Sequence, residues 1–148
     1  HSARRHRLRR RWRAAARLSA LRSRDYRPQS AADSGAIRAV ALDYIEGWYA
    51  GDAARMARAL HPELAKRIVA GSDLRHMTAD QLIAATRNGG GRNTPAASQR
   101  KDVRILDVFR GTASVRVDAA DWVDYMQVAR WNGEWKIINV LWEMRAGR

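Results

Sequence analysis

The sequence predicts an α+β fold in which three N-terminal helices pack on a curved antiparallel sheet of four or more strands. Apolar residues recur with the helical period of 3.6 up to about residue 88, and with the strand period of 2 from about residue 101 onward. The Asn132-Gly133 pair is a strong hairpin signal, because both central positions of a type I′ turn need positive φ. A chain of 148 residues fits one domain of this kind.

The first predicted helix begins near Ser34 and ends at Gly51. Its apolar residues recur at i, i+3, i+4, i+7 and i+11, the spacing of one helix face, and are Ile37, Val40, Ala41, Tyr44 and Trp48. Gly51 can take the left-handed conformation that ends a helix, and Asp52 is placed to cap the next one.

A second helix is expected to continue past a bend. Met56 and Leu60 would face inward, and His61 before Pro62 would bend the chain, since proline disfavours the α conformation in the residue before it. Leu64 and Ile68 then resume the helical spacing.

A third helix opens with a T-x-x-Q capping box from Thr78 to Gln81 and is expected to end at Gly89. Residues 88–99, which include three consecutive glycines and Pro95, are too polar to pack. They predict a lid or a disordered connection.

Four strands are expected after this loop, joined by two-residue turns at 111–112, 120–121 and 132–133. Pairing outward from these turns places Val117 and Leu141 beside Asp124, and Asp107 across from Arg116. One face of the sheet is then almost wholly apolar and should cover the helices; it consists of Leu106, Val108, Ala113, Val115, Val117, Met126, Val128, Trp135, Ile137 and Leu141.

The opposite face of the predicted sheet is also too apolar for open water. It carries Val123, Tyr125, Ile138, Val140 and Trp142 among polar residues. Because a contiguous apolar patch on a small protein indicates an interface, we expect a homodimer through this outer face.

Asp124 is the candidate catalytic residue. The predicted register aims its carboxylate into the apolar face with Asn139 diagonally adjacent, and burial there would raise its pKa toward the range useful for a general base. The alternative is a structural aspartate that hydrogen-bonds Asn139, a tryptophan N–H or a loop backbone. The structural role is the favoured interpretation.

A ligand pocket is expected near the same end of the sheet. Its predicted lining is mainly aromatic, with a few polar groups, which suits a flat, partly aromatic organic molecule. The candidate ligand-binding residues are Tyr44, Trp48, His61, Trp122, Asn139 and Glu143. For the aromatic residues ordinary core packing is the alternative, and for His61 the alternative is a bend or cap residue.

Several chemistries are excluded by composition and spacing. The chain has no cysteine, so disulfides, thiolate nucleophiles and cysteine-ligated metals are absent. Its four histidines show no metal-ligand spacing, and neither a phosphate loop nor a G-x-S-x-G elbow occurs. We expect no metal and no cofactor.

The net charge of +13 is concentrated in a basic N-terminal tail. Residues 1–34 hold eleven arginines against two aspartates, which leaves 17 − 13 = +4 for the rest. We expect residues 1–33 to be a solvated, disordered or weakly helical extension; the alternative is an arm that binds nucleic acid or an anionic membrane. No secretory signal or membrane-spanning run is present, so a cytoplasmic protein is expected.

The stretch Asp43-Tyr44-Ile45-Glu46-Gly47-Trp48-Tyr49-Ala50-Gly51-Asp52 resembles the nuclear-transport-factor-two-like superfamily. Residues 58–67 and 133–142 are similar to its family labelled putative lumazine-binding. The resemblance covers residues 36–144 and implies a cone-shaped, cystatin-like α+β roll over residues 34–148, with a pocket between helix one and the concave sheet and frequent dimerisation through the outer sheet face.

The predicted function is therefore small-molecule binding with no assigned reaction. The resemblance also implies an alternative, a cofactor-free isomerase, cyclase or dehydratase of ketosteroid isomerase-like type with Asp124 as general base. Asn139 or Tyr44 would then donate a hydrogen bond to the developing oxyanion.

Overall fold

The computed structural model describes residues 30–146, which form three α-helices, one 3₁₀ turn and six strands. The helices are α1 (Ala31–Ala50), α2 (Ala53–Ala59) and α3 (Ala79–Arg87), and the 3₁₀ turn is Ala96–Ser98. The strands are β1 (Leu60–Ala70), β2 (Asp73–Thr78), β3 (Asp102–Phe109), β4 (Thr112–Asp118), β5 (Trp122–Trp131) and β6 (Glu134–Met144). The predicted α+β class is confirmed.

Helix α1 has the predicted end and begins before Ser34. Ser30 caps its N-terminus by accepting a hydrogen bond from the Asp33 amide at 3.0 Å. Gly51 ends the helix in the left-handed conformation, with φ 66°. The predicted basic tail lies outside the described residues except at its last positions, 30–33.

The second helix ends at Ala59, and its predicted continuation through Leu64 and Ile68 is wrong. These two residues lie on strand β1. Residues four positions apart lie on the same face of a helix and also on the same face of a strand, so this spacing does not distinguish the two elements. The capping box of Thr78 and Gln81 opens α3 as predicted.

The six strands form one sheet in the order β2-β1-β6-β5-β4-β3. Strands β3 to β6 make the predicted antiparallel meander, while β1 and β2 form an additional hairpin. Strand β1 runs parallel to β6 and so joins this hairpin to the meander. The helices cover the inner face of the sheet.

A β-bulge changes the predicted register between β5 and β6. Pairing outward from the Asn132-Gly133 turn is as predicted as far as Val128 opposite Ile137, and then β6 has one extra residue, Ile138. Beyond the bulge Asp124 lies opposite Trp142 and not Leu141. Every later side chain of β6 therefore points to the face opposite to the one predicted.

The predicted faces of five β6 residues are wrong for this reason. Asn139, Leu141 and Glu143 were expected inside and are exposed on the outer face. Val140 and Trp142 were expected in the dimer interface; Val140 is buried in the core, and Trp142 packs against it.

The predicted register of β3 against β4 is also wrong. The turn is formed by Arg110 and Gly111, and a second bulge lies between Ile105 and Asp107. Asp107 is consequently opposite Ser114 and not Arg116. Leu106 was expected to face inward and is 49% exposed.

The remaining predicted inner-face residues reach the core. Seven of them are buried, namely Ala113, Val115, Val117, Met126, Val128, Trp135 and Ile137. They pack with buried residues of the helices, which include Ile37, Tyr44, Ile45, Met56 and Leu82. The core thus lies between the concave face of the sheet and the helices.

The polar loop after α3 is held against α1 and does not stand free of the domain. Gly90 and Gly91 lie directly against the side chain of Trp48. The hydroxyl of Tyr49 donates a hydrogen bond of 2.6 Å to the carbonyl of Arg100. These contacts attach the loop at both of its ends.

Candidate functional site

The candidate site lies on the inner face of the sheet, where β5 begins and β6 ends. Five side chains converge there, and we call them the inner cluster: Tyr44, Lys66, Trp122, Asp124 and Trp142. Helix α1 supplies the tyrosine, and β1, β5 and β6 supply the other four. Their meeting depends on the parallel pairing of β1 with β6, in which Lys66 lies opposite Val140.

Asp124 is fully buried and incompletely hydrogen-bonded. The Trp122 indole N–H donates a hydrogen bond of 2.8 Å to Oδ2. The other oxygen, Oδ1, accepts no hydrogen bond from the described residues and lies 3.9 Å from Nζ of Lys66. Part of the predicted structural role is thus present, a tryptophan N–H partner, but one buried oxygen is unsatisfied.

Lys66 holds its ammonium group among aromatic rings. Nζ donates a hydrogen bond of 2.5 Å to the Tyr44 hydroxyl and lies 5.1 Å from the ring centres of Tyr44 and of Trp142. Its side chain is 11% exposed. The sequence prediction missed this residue because it assigned its segment to a helix.

Burial dominates the electrostatics of the inner cluster. It raises the pKa of Asp124, and the nearby Lys66 charge, the Trp122 hydrogen bond and the neighbouring Tyr44 hydroxyl oppose that rise. Burial lowers the pKa of Lys66, opposed by the Asp124 charge, and it raises the pKa of Tyr44. The pKa values of the carboxyl and the amine approach each other, so a proton moves between them at a lower free-energy cost than in water.

Four of the residues predicted to line a pocket lie elsewhere. Trp48 packs under the glycines of the loop after α3. His61 accepts a hydrogen bond of 2.9 Å from the Glu63 amide and contacts the Trp131 ring edge-on at 4.5 Å, at the hairpin end of the sheet. Asn139 and Glu143 are exposed on the outer face. Tyr44, Trp122 and Asp124 are brought together as predicted.

An open groove of about 780 Å³ lies between the loop of residues 93–100 and the turn at Ala120 and Asp121. Tyr49 contacts two residues that line it: its hydroxyl donates a hydrogen bond to the Arg100 carbonyl and accepts one of 3.0 Å from the Ala120 amide. The Tyr49 ring also lies 6.4 Å from that of Trp122. Tyr49 therefore contacts both the lining of the groove and Trp122 of the inner cluster.

Two further features concern residues 30–146 only. No group of three or more histidine, aspartate or glutamate side chains within this part of the chain is arranged to hold a metal ion. None of its helices combines the length and the apolar character that a membrane span requires.

Comparison with known proteins gives one family and one fold. The family model described as "Putative lumazine-binding" matches residues 32–143. An NTF2-like protein of unknown function from Methylobacillus flagellatus KT is similar, with 22% identity, a TM-score of 0.63 and coverage of 80% of this chain and 96% of that one. No curated protein matches the chain.

Two other solved structures share the architecture. An NTF2-like protein with a cystatin-like fold from Novosphingobium aromaticivorans is 16% identical, with a TM-score of 0.61 and coverage of 91% and 90% of the two chains. A hexachlorocyclohexane dehydrochlorinase of the LinA type 2 class is 13% identical, with a TM-score of 0.52 and coverage of 78% and 89%. At these identities the likeness concerns the fold alone.

Proposed function

This chain belongs to the family described as "Putative lumazine-binding" within the NTF2-like fold, and on that premise we propose that it binds a small organic molecule at the inner cluster. The observation that carries the proposal is the buried Asp124 Oδ1, which accepts no hydrogen bond within residues 30–146 and lies next to the ammonium group of Lys66. A buried charge pair stabilises a core little better than apolar residues of similar size, and an unsatisfied oxygen is costly. A ligand that donates to Oδ1 would offset this cost.

The surroundings of the charge pair favour a flat, partly aromatic ligand. Trp122 and Trp142 are only half-buried, and the Lys66 side chain is 11% exposed, so the inner cluster borders the surface. The indole rings of Trp122 and Trp142 can stack on a heterocycle whose N–H or O–H donates a hydrogen bond to Asp124. We propose this location for the ligand in place of the predicted pocket, which included Trp48, His61, Asn139 and Glu143 in its lining.

Lumazine and a panel of pteridines, purines and naphthols are the probes for this proposal. We expect saturable quenching of tryptophan fluorescence by at least one of them, since Trp122 and Trp142 flank the charge pair. Substitution Asp124→Asn should weaken its binding about 10- to 100-fold, because a hydrogen bond to a charged group contributes about 1.5–3 kcal/mol.

Asp73→Asn is the matched control, because Asp73 is an exposed aspartate on β2, and it should leave the affinity unchanged. Saturable binding that is equally tight in the Asp124→Asn variant would place the ligand outside the inner cluster. Failure of the whole panel to bind would remove the support for a flat heterocyclic ligand.

The unsatisfied Asp124 oxygen also supports a second candidate, a cofactor-free isomerase, cyclase or dehydratase with this carboxylate as general base. Its raised pKa suits proton abstraction. Asn139 is on the outer face and cannot donate to an oxyanion at this site, so the role would fall to Tyr44. Turnover of an identified substrate that is unchanged in Asp124→Asn would exclude this candidate.

The outer face of the sheet supports a homodimer with a corrected set of residues. Tyr125 stays on this face at 44% exposure and Val123 and Ile138 are half-buried, whereas Val140 and Trp142 face inward. Leu141 takes their place at 53% exposure. We therefore propose that Tyr125 and Leu141 lie near the centre of the interface.

Light scattering at micromolar concentration should give twice the chain mass. Leu141→Arg is expected to shift the protein to the monomer, because it replaces an apolar contact at the centre of the proposed interface with a charged side chain that must lose its water on association. Leu74→Arg is the control: Leu74 is 60% exposed but lies on the β2 edge of the sheet, and its substitution should leave the dimer intact. A monomeric wild-type protein would overturn the proposal.

A further inference from the structure

We propose, building on ligand binding at the inner cluster, that Lys66 is a nucleophile that forms an imine with an aldehyde or ketone group of the ligand. The proposal names a chemical class, carbonyl compounds, and a role for a residue that the prediction from sequence did not include. It rests on the identity of this cation, on the groups around its amine and on its limited exposure.

The identity of the cation is informative because lysine is rare in this chain. Of its 28 basic residues only three are lysines, Lys66, Lys101 and Lys136. Arginine is the better partner for a buried carboxylate, since its planar guanidinium can bind both oxygens and never loses its charge. A lysine instead provides an amine that can become neutral and attack a carbon atom.

The groups around the amine match what imine formation requires. Tyr44 places a hydroxyl 2.5 Å from Nζ, and Asp124 places at 3.9 Å a carboxylate oxygen that accepts no hydrogen bond within the described part of the chain. The first can donate a hydrogen bond to a carbonyl oxygen, and the second can accept a proton from the amine. Burial among aromatic rings lowers the pKa of Lys66, which increases the fraction of neutral amine.

The proposed step balances without an oxidant or a reductant. The Nζ lone pair forms a C–N bond to the carbonyl carbon while the carbonyl π bond breaks, and one amine proton passes to the oxygen, which gives a carbinolamine. The C–O bond then breaks as the C=N bond forms, and the second amine proton leaves with the hydroxyl as water. Asp124 is placed to carry these protons between nitrogen and oxygen, and the Tyr44 hydroxyl is placed to donate a hydrogen bond to the oxygen.

Reductive trapping with glyoxylate and sodium cyanoborohydride tests the proposal on the full chain. Reduction of the imine leaves a carboxymethyl group on the lysine, and peptide mass mapping assigns it to Lys66, Lys101 or Lys136. The initial labelling rate at neutral pH should be several-fold higher at Lys66 than at Lys101, since the lowered pKa leaves a larger fraction of neutral amine.

The comparison is made within one molecule, so it does not depend on the folding of a variant. Accessibility alone predicts the reverse order, because the Lys101 side chain is 54% exposed and that of Lys66 only 11%. Labelling at Lys101 that equals or exceeds labelling at Lys66 would therefore overturn the inference. Acetaldehyde, which carries no charge, serves as a second probe and should give the same order.

Two variants test the mechanism further. At alkaline pH, where the Lys66 amine is neutral with or without the Asp124 charge, Asp124→Asn should slow labelling at Lys66 about tenfold, because the carboxylate that accepts the amine proton is lost. Lys101 should be unchanged, and Asp73→Asn should change neither. If Lys66 is not labelled preferentially while heterocycle binding still depends on Asp124, the imine inference fails and the proposed binding function stands. If both measurements are negative, the inner cluster is not a ligand site.

Discussion

Replacing Lys66 with methionine is expected to lower the free energy of unfolding by about 3–5 kcal/mol, because breaking a buried ion pair leaves an uncompensated charge in the core. Asp124 would keep the hydrogen bond from the Trp122 indole and would lose the nearby ammonium group. Urea unfolding followed by circular dichroism measures the loss, with a change in the midpoint and little change in the slope.

The deficit of the Lys66→Met variant should shrink as the pH falls. Burial raises the pKa of Asp124 in the folded protein above its value in the unfolded chain. Such a carboxyl group destabilises the fold increasingly as the pH rises from the unfolded-state pKa toward the folded-state pKa. At low pH the carboxyl group is neutral and can be buried at a smaller cost. A deficit that grows on acidification would contradict this account.

The double variant Lys66→Met/Asp124→Leu provides the control for the pair. Replacement of a buried ion pair by apolar residues of similar volume is often neutral or stabilising, so the double variant should unfold near the wild-type midpoint. The exposed pair of Arg100 and Asp102, 2.6 Å apart, is the matched surface case, and Asp102→Asn should cost less than about 1 kcal/mol. If Lys66→Met lowers the free energy of unfolding by an equally small amount, the buried pair contributes no more to stability than the exposed pair.

Gly91→Ala is expected to destabilise the protein by about 3 kcal/mol, at the upper end of the usual cost of overpacking. A Cβ atom at this position would lie 2.4 Å from the backbone oxygen of Trp48 and 2.6 Å from its ring. A backbone oxygen in the middle of the α1 C-terminal turn cannot move aside without disturbing the helix. Thermal unfolding by calorimetry gives the loss.

Gly35→Ala is the control for this substitution. Gly35 lies in helix α1 with open space around the position of a Cβ atom. Alanine there should stabilise the protein by about 0.5–1 kcal/mol, since it lowers the backbone entropy lost on folding. Equal effects of the two substitutions would mean that the close approach of the loop to Trp48 does not constrain the sequence.

The elements that could be predicted from sequence depend on local signals. Ser30 was not predicted as a cap, but the Asp52 cap, the Thr78 capping box and the left-handed Gly51 all follow from residues within a few positions of one another. The Asn132-Gly133 turn likewise sets the first pairs of β5 and β6 without reference to the rest of the chain.

Strand β1 could not be predicted because its pattern is ambiguous. Leu64 and Ile68 are four positions apart, a spacing that both a helix and a strand place on one side. Lys66 lies midway between them. A strand places all three side chains on one face, whereas a helix would turn Lys66 away from that face. The prediction of a helix over this segment therefore left out Lys66, one of the two charges of the inner cluster.

The helix caps, the hairpin turn, the α+β class and the inward direction of Asp124 all follow from short stretches of sequence, because each depends on contacts between close neighbours in the chain. The bulge at Ile138 and the meeting of Lys66 with Asp124 do not, because residues 137–142 are apolar enough for either face. Packing of β6 between β1 and β5 selects the register that buries Val140 and Trp142 and exposes Asn139. Because long-range packing selects this register, the polar neighbour of Asp124 is Lys66 and not the predicted Asn139.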